Sequence, residues 1–491
     1  MTLDARTPAP VDRIVIVGGT LTAWIAAARL ASALRDTVRV TVVETAERPT
    51  AQVTALAPTF RRDLLDRLGT PESAWLRACC ASFNAATRYR GWRPEPVYLP
   101  NPGAAPSCEG FPLTDFWQLR RTSGHTLEPV DHACFVTPPL LDARKSPRWL
   151  DGRTAFPHGW HADTAMLTHF LRRTAVRTCG VRLHSAEVLG AERDPAGLVT
   201  ALHTTRGREE ADLFLDCTGR AARLLTGVLG EPFRPADDGL LPDALATVTL
   251  PHDSAHHGVA PYTTVTTRPE GHTWQRPLLD RRTTGLAYAS GCTDAAEAER
   301  ILGAPPGAVV THTAAPAGRL RRSWVGNCLA LGTAAASADP LDEDHADTLA
   351  LLDQLVRDFP SRDGRTTPAA RFDATAAALH ERALDLARLR RLTSPYAPPV
   401  PAPDHLRRVL DAHAAGLAPT ADELPLRALL TALTPHTATP PPSLAHHPHA
   451  IRTADDAFTR IKRHQRTLLE TLPDTHTYLT AATSLPTPAL T

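Results

Sequence analysis

No apolar run in the chain approaches the roughly 18 residues that a membrane-spanning helix requires, which excludes such a helix. Neither sign of charge is in excess. Fifty-three Lys and Arg face 52 Asp and Glu, for a formal net charge of +1. That balance gives no electrostatic reason to expect nucleic acid or an anionic membrane as a partner. Cysteine is sparse, with 8 residues, no CxxC pair and one vicinal pair at Cys79 and Cys80. A disulfide framework is therefore excluded, and a reduced cytoplasmic setting is expected. The N-terminus has acidic residues early and no apolar stretch before a small-residue cleavage site, so it does not read as a secretory signal. There is no Gly-x-Ser-x-Gly elbow and no internal repeat.

What is present is the composition of a globular protein. The chain has 491 residues, 43% hydrophobic and 21% charged, enough for two ordinary domains or one large domain with an elaborated lobe. It opens with the β-branched run Ile14 to Val17, then Gly18-Gly19, then helix formers from Ala23 to Leu34. A second run, Val38 to Val43, ends at Glu44. Strand, glycine turn, helix and strand with a terminal acid is the opening of a dinucleotide-binding unit, and Glu44 stands where a carboxylate would meet a ribose. Further on, Thr164 to Val176 predicts an amphipathic helix. Val181 to Leu202 predicts short strands, and Ala211 to Gly219 a buried strand ending in a polar turn. Residues 240 to 295 read as mostly β. A strand-turn-helix follows at Cys328 to Leu355, and beyond about residue 370 the pattern is helical and Pro-interrupted. The fold expected is α/β: residues 1–365 as an FAD-binding-type domain with an inserted substrate-binding β region, and 366–491 as a helical C-terminal lobe.

Seven ordered segments resemble one family, the flavin-dependent tryptophan halogenases, which share the flavin-monooxygenase-type fold. They are IVIVGGTLTAWIAA; Trp75 to Phe83 with Gly91-Trp92; Gly159 to Asp163; Asp212 to Gly219; GHTWQRPLLDRRTTGLAYASG; Gly332 to Leu341; and Leu472 to Leu479. The resemblance implies an FAD site at Gly18, Gly19, Thr20, Ala23, Glu44 and Thr333, a partner flavin reductase, and an aromatic substrate chamber.

The sequence departs from that family pattern where the chemistry lies. The middle glycine of the flavin turn, which lets backbone approach the pyrophosphate, is Thr20. The last glycine is Ala23. The family's second flavin segment falls at Val53 to Leu56 without its glycine and acid, its flavin-motif aspartate at Thr333, and the closing glycine at Ala336. The lysine that carries the active halogen falls at Asn84, whose amide has no basic nitrogen to carry one. The catalytic glutamate falls at Asp342. It is followed by Glu343, Asp344 and His345, and the two added carboxylates would repel a halide. The signature Trp-x-Trp-x-Ile-Pro reads His272-x-Trp274-x-Arg276-Pro277.

Other clusters read more plainly. Asp342 to Asp347 is expected to cap a helix N-terminus, where carboxylates suit the macrodipole, rather than to hold a metal. His252-Asp253-Ser254 is expected to be a solvated turn, His446 to His449 an exposed linker, and Cys79-Cys80 the apolar face of a helix. The expectation is thus an enzyme of secondary metabolism or antibiotic biosynthesis that has lost halogenation and tight FAD binding. It would catalyse a non-redox step (cyclisation, isomerisation or proton transfer) on an apolar natural-product intermediate. Asp342 would serve as acid/base, with His272, Arg276 and Asn84 as polar orienters and Trp274, Trp92, Pro277 and His345 lining the chamber. Two other readings stay open: an FAD-dependent monooxygenase or halogenase served by a reductase, and a silent partner of a halogenase paralogue.

Overall fold

A computed structural model describes residues 10–35, 37–46, 52–101, 105–236, 239–362 and 368–484. The architecture is the expected α/β fold, but the division differs from a boundary after residue 365. One compact unit is built from Met1–Cys80, Ala162–Asp237 and Pro316–Ala383, the other from Ala81–His161, Asp238–Ala315 and Leu384–Thr491. The physical reason lies in the sheets. Strands that continue one sheet come from segments far apart in sequence, and the C-terminal helices share a core with residues 85–156.

The first unit centres on a six-stranded sheet. Its order is Arg182–Ser185, Arg39–Glu44, Arg13–Val17, Leu213–Asp216, Cys328–Ala330 and Trp324–Val325. All neighbours are parallel except the last pair. Both faces of a parallel sheet must be covered, which is why Ile14, Val15, Ile16 and Val17 are all buried rather than alternating. The helix Leu21–Ala33 packs against the helices Thr164–Thr178 and Ala346–Arg357. Its small, all-round apolar sequence is buried at each position from Leu21 to Ala31. Asp163 caps the helix Thr164–Thr178 by accepting from Met166 N–H at 2.9 Å.

The second unit centres on a seven-stranded sheet. Its order is Val310–Ala314, Ala244–Pro251, Arg281–Tyr288, Gly271–Pro277, Thr263–Thr267, Ala86–Arg90 and Val97–Pro100. Pairing is antiparallel except between Thr263–Thr267 and Ala86–Arg90. Helices at Asp404–Ala414, Leu424–Leu433, Pro448–Thr471 and Thr475–Ser484 complete this unit. Among the described residues no helix is long and apolar enough to cross a membrane.

Among the described residues no two of the eight cysteines form a disulfide. Cys79 and Cys80 do not lie on a helix face: the helix Glu72–Ala78 ends before them, Cys79 is buried at its C-cap, and Cys80 turns left-handed at φ 49°.

Candidate active site

The flavin-type turn follows Arg13–Val17. Gly18 has φ 132°, and a Cβ there would lie 2.3 Å from the Cys217 carbonyl oxygen, so only glycine lets the turn pass the end of the neighbouring strand. Thr20 is not a misfit in this turn. It is the N-cap of Leu21–Ala33, in extended backbone at φ −75° and ψ 165°. Its Oγ1 accepts from Ala23 N–H at 3.3 Å and donates to the Cys217 carbonyl at 3.0 Å. One of the helix's orphan N–H groups is thereby met from within the chain. Glu44, at the end of Arg39–Glu44, is also engaged. Arg172 donates to both of its carboxylate oxygens, at 2.9 and 3.3 Å. Glu44 and Arg172 line an open cleft of about 620 Å³ together with Gly19 and His169.

Thr333, Asp342 and His345 line one cavity of the same unit, about 140 Å³, with Glu343, Arg220 and His380. The acidic run does lie at a helix N-terminus: His345 is the N-cap residue of Ala346–Arg357, and Asp344, just before it, supplies the bond, its Oδ1 accepting from Ala346 N–H at 3.0 Å. His345 takes the left-handed conformation, φ 64°, and is buried with its Nε2 3.5 Å from the Thr54 hydroxyl. The strand Val53–Leu56 therefore backs this turn, and Ala57 N–H donates to the Asp344 carbonyl at 3.1 Å. Burial raises the Asp347 carboxyl pKa; Arg382 opposes that rise and the charge of Asp342 adds to it. Burial lowers the Arg220 pKa against the charge of Glu343. Among the described residues no three His, Cys, Asp or Glu side chains converge as metal ligands.

The second unit gathers Asn84, Trp274, Arg276 and Pro277 around two residues that the sequence reading did not single out, His161 and Thr263. Asn84 is buried, and its Oδ1 accepts from Thr263 N–H at 3.2 Å. Because a backbone N–H can only donate, this bond fixes the amide's orientation. The Thr263 hydroxyl lies 2.9 Å from His161 Nε2. Burial, then the charge of Arg276, pushes the His161 pKa well down. Arg276 sits 4.6 Å from the centroid of the Trp274 ring. His272, Trp274 and Arg276 alternate onto one face of Gly271–Pro277, and all three are buried. The Pro277 carbonyl accepts from the Ser82 hydroxyl at 2.7 Å. Trp92 is engaged elsewhere: its indole N–H donates to the Arg390 carbonyl at 3.0 Å and its ring meets Tyr89 edge-on. His161 lies in the segment Gly159 to Asp163 noted for its resemblance, and its residue type was the available signal. Nothing local marks Thr263.

The letters His252-Asp253-Ser254 form no triad. Asp253 caps the short helix Ser254–His257, His252 bonds the Gly258 carbonyl, and Ser254 meets His476 at 3.2 Å.

A two-unit α/β architecture with this glycine turn and this strand Gly271–Pro277 is that of the flavin-dependent halogenases. The crystal structure of a tryptophan 6-halogenase, SttH from Streptomyces toxytricini, superposes with a TM-score of 0.88 at 29% identity, covering 96% of this chain and 99% of that one. Tar14, a tryptophan C-6 flavin-dependent halogenase from taromycin biosynthesis, superposes with a TM-score of 0.87 at 28% identity, covering 96% and 99%. In sequence, tryptophan 7-halogenase RebH of Lentzea aerocolonigenes is 32% identical over 96% of this chain and 98% of its own length. The tryptophan halogenase family model matches residues 13–397, and the chain belongs to that family.

Proposed function

We propose that this family member no longer halogenates, holds no tightly bound FAD, and catalyses a non-redox step on an apolar natural-product intermediate. The observation that carries this reading is Asn84. At the position matching the family's lysine there is a buried amide whose oxygen is committed to Thr263 N–H. An amide there supplies neither a nucleophilic amine nor a positive charge.

The residues at the FAD site do not fit a tightly held flavin. The side chain of Thr20 stands where the family's glycine admits the pyrophosphate, and it takes up Ala23 N–H. The ribose-binding position, Glu44, is held by Arg172, and Thr333 has no carboxylate to offer. The chemistry left to the chain is proton transfer and polar positioning. Asp342, half-buried in the cavity of the first unit, is the acid/base group of this reading. In the second unit, Asn84, His272 and Arg276 are buried polar groups. Asp342→Asn is expected to abolish turnover of an identified substrate.

The relatives are halogenases by name, and Gly18 and Glu44 are kept. These two residues favour the second reading, an FAD-dependent monooxygenase or halogenase served by a separate reductase. One experiment separates the two: visible absorbance of the purified protein, followed by titration with oxidised and reduced FAD. The absence of binding up to roughly millimolar flavin supports the first reading. Micromolar binding overturns it and puts the oxygenase in its place.

A further inference from the structure

The parallel sheet of the first unit carries the glycine turn and Glu44 at the carboxyl ends of its strands. A second cleft, of about 440 Å³, opens at the amino ends. Asp12 precedes the strand Arg13–Val17, Arg39 starts Arg39–Glu44, and Arg182 starts Arg182–Ser185. Arg35, Val38 and Cys179 also stand on its walls. The charged lining is thus three arginines against one carboxylate. Counting Asp36, which lies outside the described residues, still leaves the balance positive.

The three arginines do not share one task. The helices Leu21–Ala33 and Thr164–Thr178 both end here, with Leu34 and Cys179 as their C-caps. A cation suits the negative end of a helix dipole, and Arg35 directly follows Leu34. It also reaches Cys179: burial raises that thiol's pKa, and the charge of Arg35 and a hydrogen bond from it oppose the rise. Arg39 and Arg182 begin strands and have no helix end to answer. Both are exposed, and among the described residues neither has a carboxylate within 4.0 Å of its guanidinium. The sheet sets their spacing. Arg182 registers with Thr41, two residues beyond Arg39, so the two arginines are diagonal neighbours on one face. The usual strand spacing and rise put their Cα atoms about 8 Å apart.

We propose that this cleft is a binding site for a diphosphate group, one phosphate on Arg39 and the other on Arg182, with Arg35 at the rim. A guanidinium meets a phosphate through two parallel N–H donors, so each of the two forks matches one phosphate. A single phosphate fills one fork and leaves the other arginine without a countercharge. A monocarboxylate does the same with less charge, and a cationic ligand gains only Asp12. Free pyrophosphate and the diphosphate of a nucleotide present the same chemistry to the pair. The site lies at the opposite ends of the strands from the glycine turn, so it is independent of whether the chain binds flavin.

The test is calorimetric titration of the full-length protein, at low ionic strength, with inorganic phosphate, pyrophosphate and ADP. Pyrophosphate is expected to bind with a Kd below about 1 mM and at least about tenfold more tightly than phosphate. Arg39→Gln and Arg182→Gln are each expected to weaken pyrophosphate by about tenfold, and the double variant to abolish its binding, with circular dichroism confirming the fold. ADP that matches pyrophosphate and is lost with the same variants assigns the diphosphate to a nucleotide. ADP that binds far more weakly assigns it to free pyrophosphate, and either result upholds the site. Absence of pyrophosphate binding up to several millimolar, or equal affinity for phosphate and pyrophosphate, overturns the proposal without any variant. Pyrophosphate binding that survives in the folded double variant places the ligand elsewhere, the glycine turn included, and also overturns it.

Discussion

Gly18 in the first unit and Gly285 in the second both stand where a Cβ would collide, but with different partners. At Gly18 the obstruction is backbone, the Cys217 carbonyl at 2.3 Å, in a turn at φ 132°. At Gly285 it is a side chain, the Trp274 indole, whose Cε2 would also lie 2.3 Å away. The first constraint belongs to the chain path and holds whatever ligand is or is not bound. The second lasts only as long as Trp274 does. A flavin-type turn therefore requires Gly18 whatever residues stand at positions 20 and 333. A retained glycine at that position is evidence of sheet packing before it is evidence of FAD.

The sharpest way to break this comparison is Gly18→Ala. It is expected to destabilise the protein by about 3 kcal/mol or to prevent folding, because neither the positive φ nor the carbonyl contact can relax. Denaturant unfolding measures it, and a loss below about 0.5 kcal/mol would show that the turn is not constrained as described.

A second prediction concerns charge in the second unit. His132 lies between Asp142, 2.9 Å from its Nε2, and Asp131, 3.2 Å from its Nδ1. Burial lowers its pKa, but hydrogen bonds to both acids raise it more, to about 9 from 6.5. A folded-state pKa above the unfolded one means that the stabilisation is fully present below pH 6.5 and is lost as pH rises through 9. The amount is about 2 to 3 kcal/mol. Stability measured across that window should fall, and His132→Gln should flatten this part of the profile.

Gly285→Ala comes next, at about 1 to 3 kcal/mol from overpacking against Trp274. Unlike the change at Gly18, it has a partner that can yield. Combined with Trp274→Leu it should deviate from additivity by about 1 kcal/mol in the favourable direction, read from a double-mutant cycle. Strict additivity would remove the distinction between the two glycines.

The smallest effect is expected from Thr20→Gly, about 1 kcal/mol for the lost cap and the lost bond to Cys217. Its informative readout is flavin titration. Removing the side chain is expected to tighten FAD binding, whereas an unchanged affinity would clear Thr20 of any part in excluding the cofactor.

Much of the fold was legible in the residues. The run Ile14 to Val17 with Gly18 and Glu44 marks the parallel strands, and the helix expected over Thr164 to Val176 is observed at Thr164–Thr178. The helix after the turn begins at Leu21 rather than Ala23 because Thr20 caps it, a role that local reading assigned to steric obstruction instead. The acidic run after Leu341 was legible as a helix N-terminus, but which acid bonds its first N–H was not. That depends on the left-handed turn at His345, which places Asp344 against Ala346 N–H. The boundary expected after residue 365 missed the division because composition changes along the chain, whereas compact units are defined by contacts across it.

Residue types and their order by themselves determined the family, the strand-turn-helix frame, and the absence of an amine at position 84. These depend on chemistry carried by single side chains and on periodicity, which are local properties. Only the tertiary structure decided which groups those side chains answer to: Asn84 to Thr263 N–H, Glu44 to Arg172, Thr20 to Cys217. It alone placed Arg39 and Arg182, far apart in the chain, on one cleft. Hydrogen bonds and uncompensated charges arise between residues that folding brings together, and no local pattern records them.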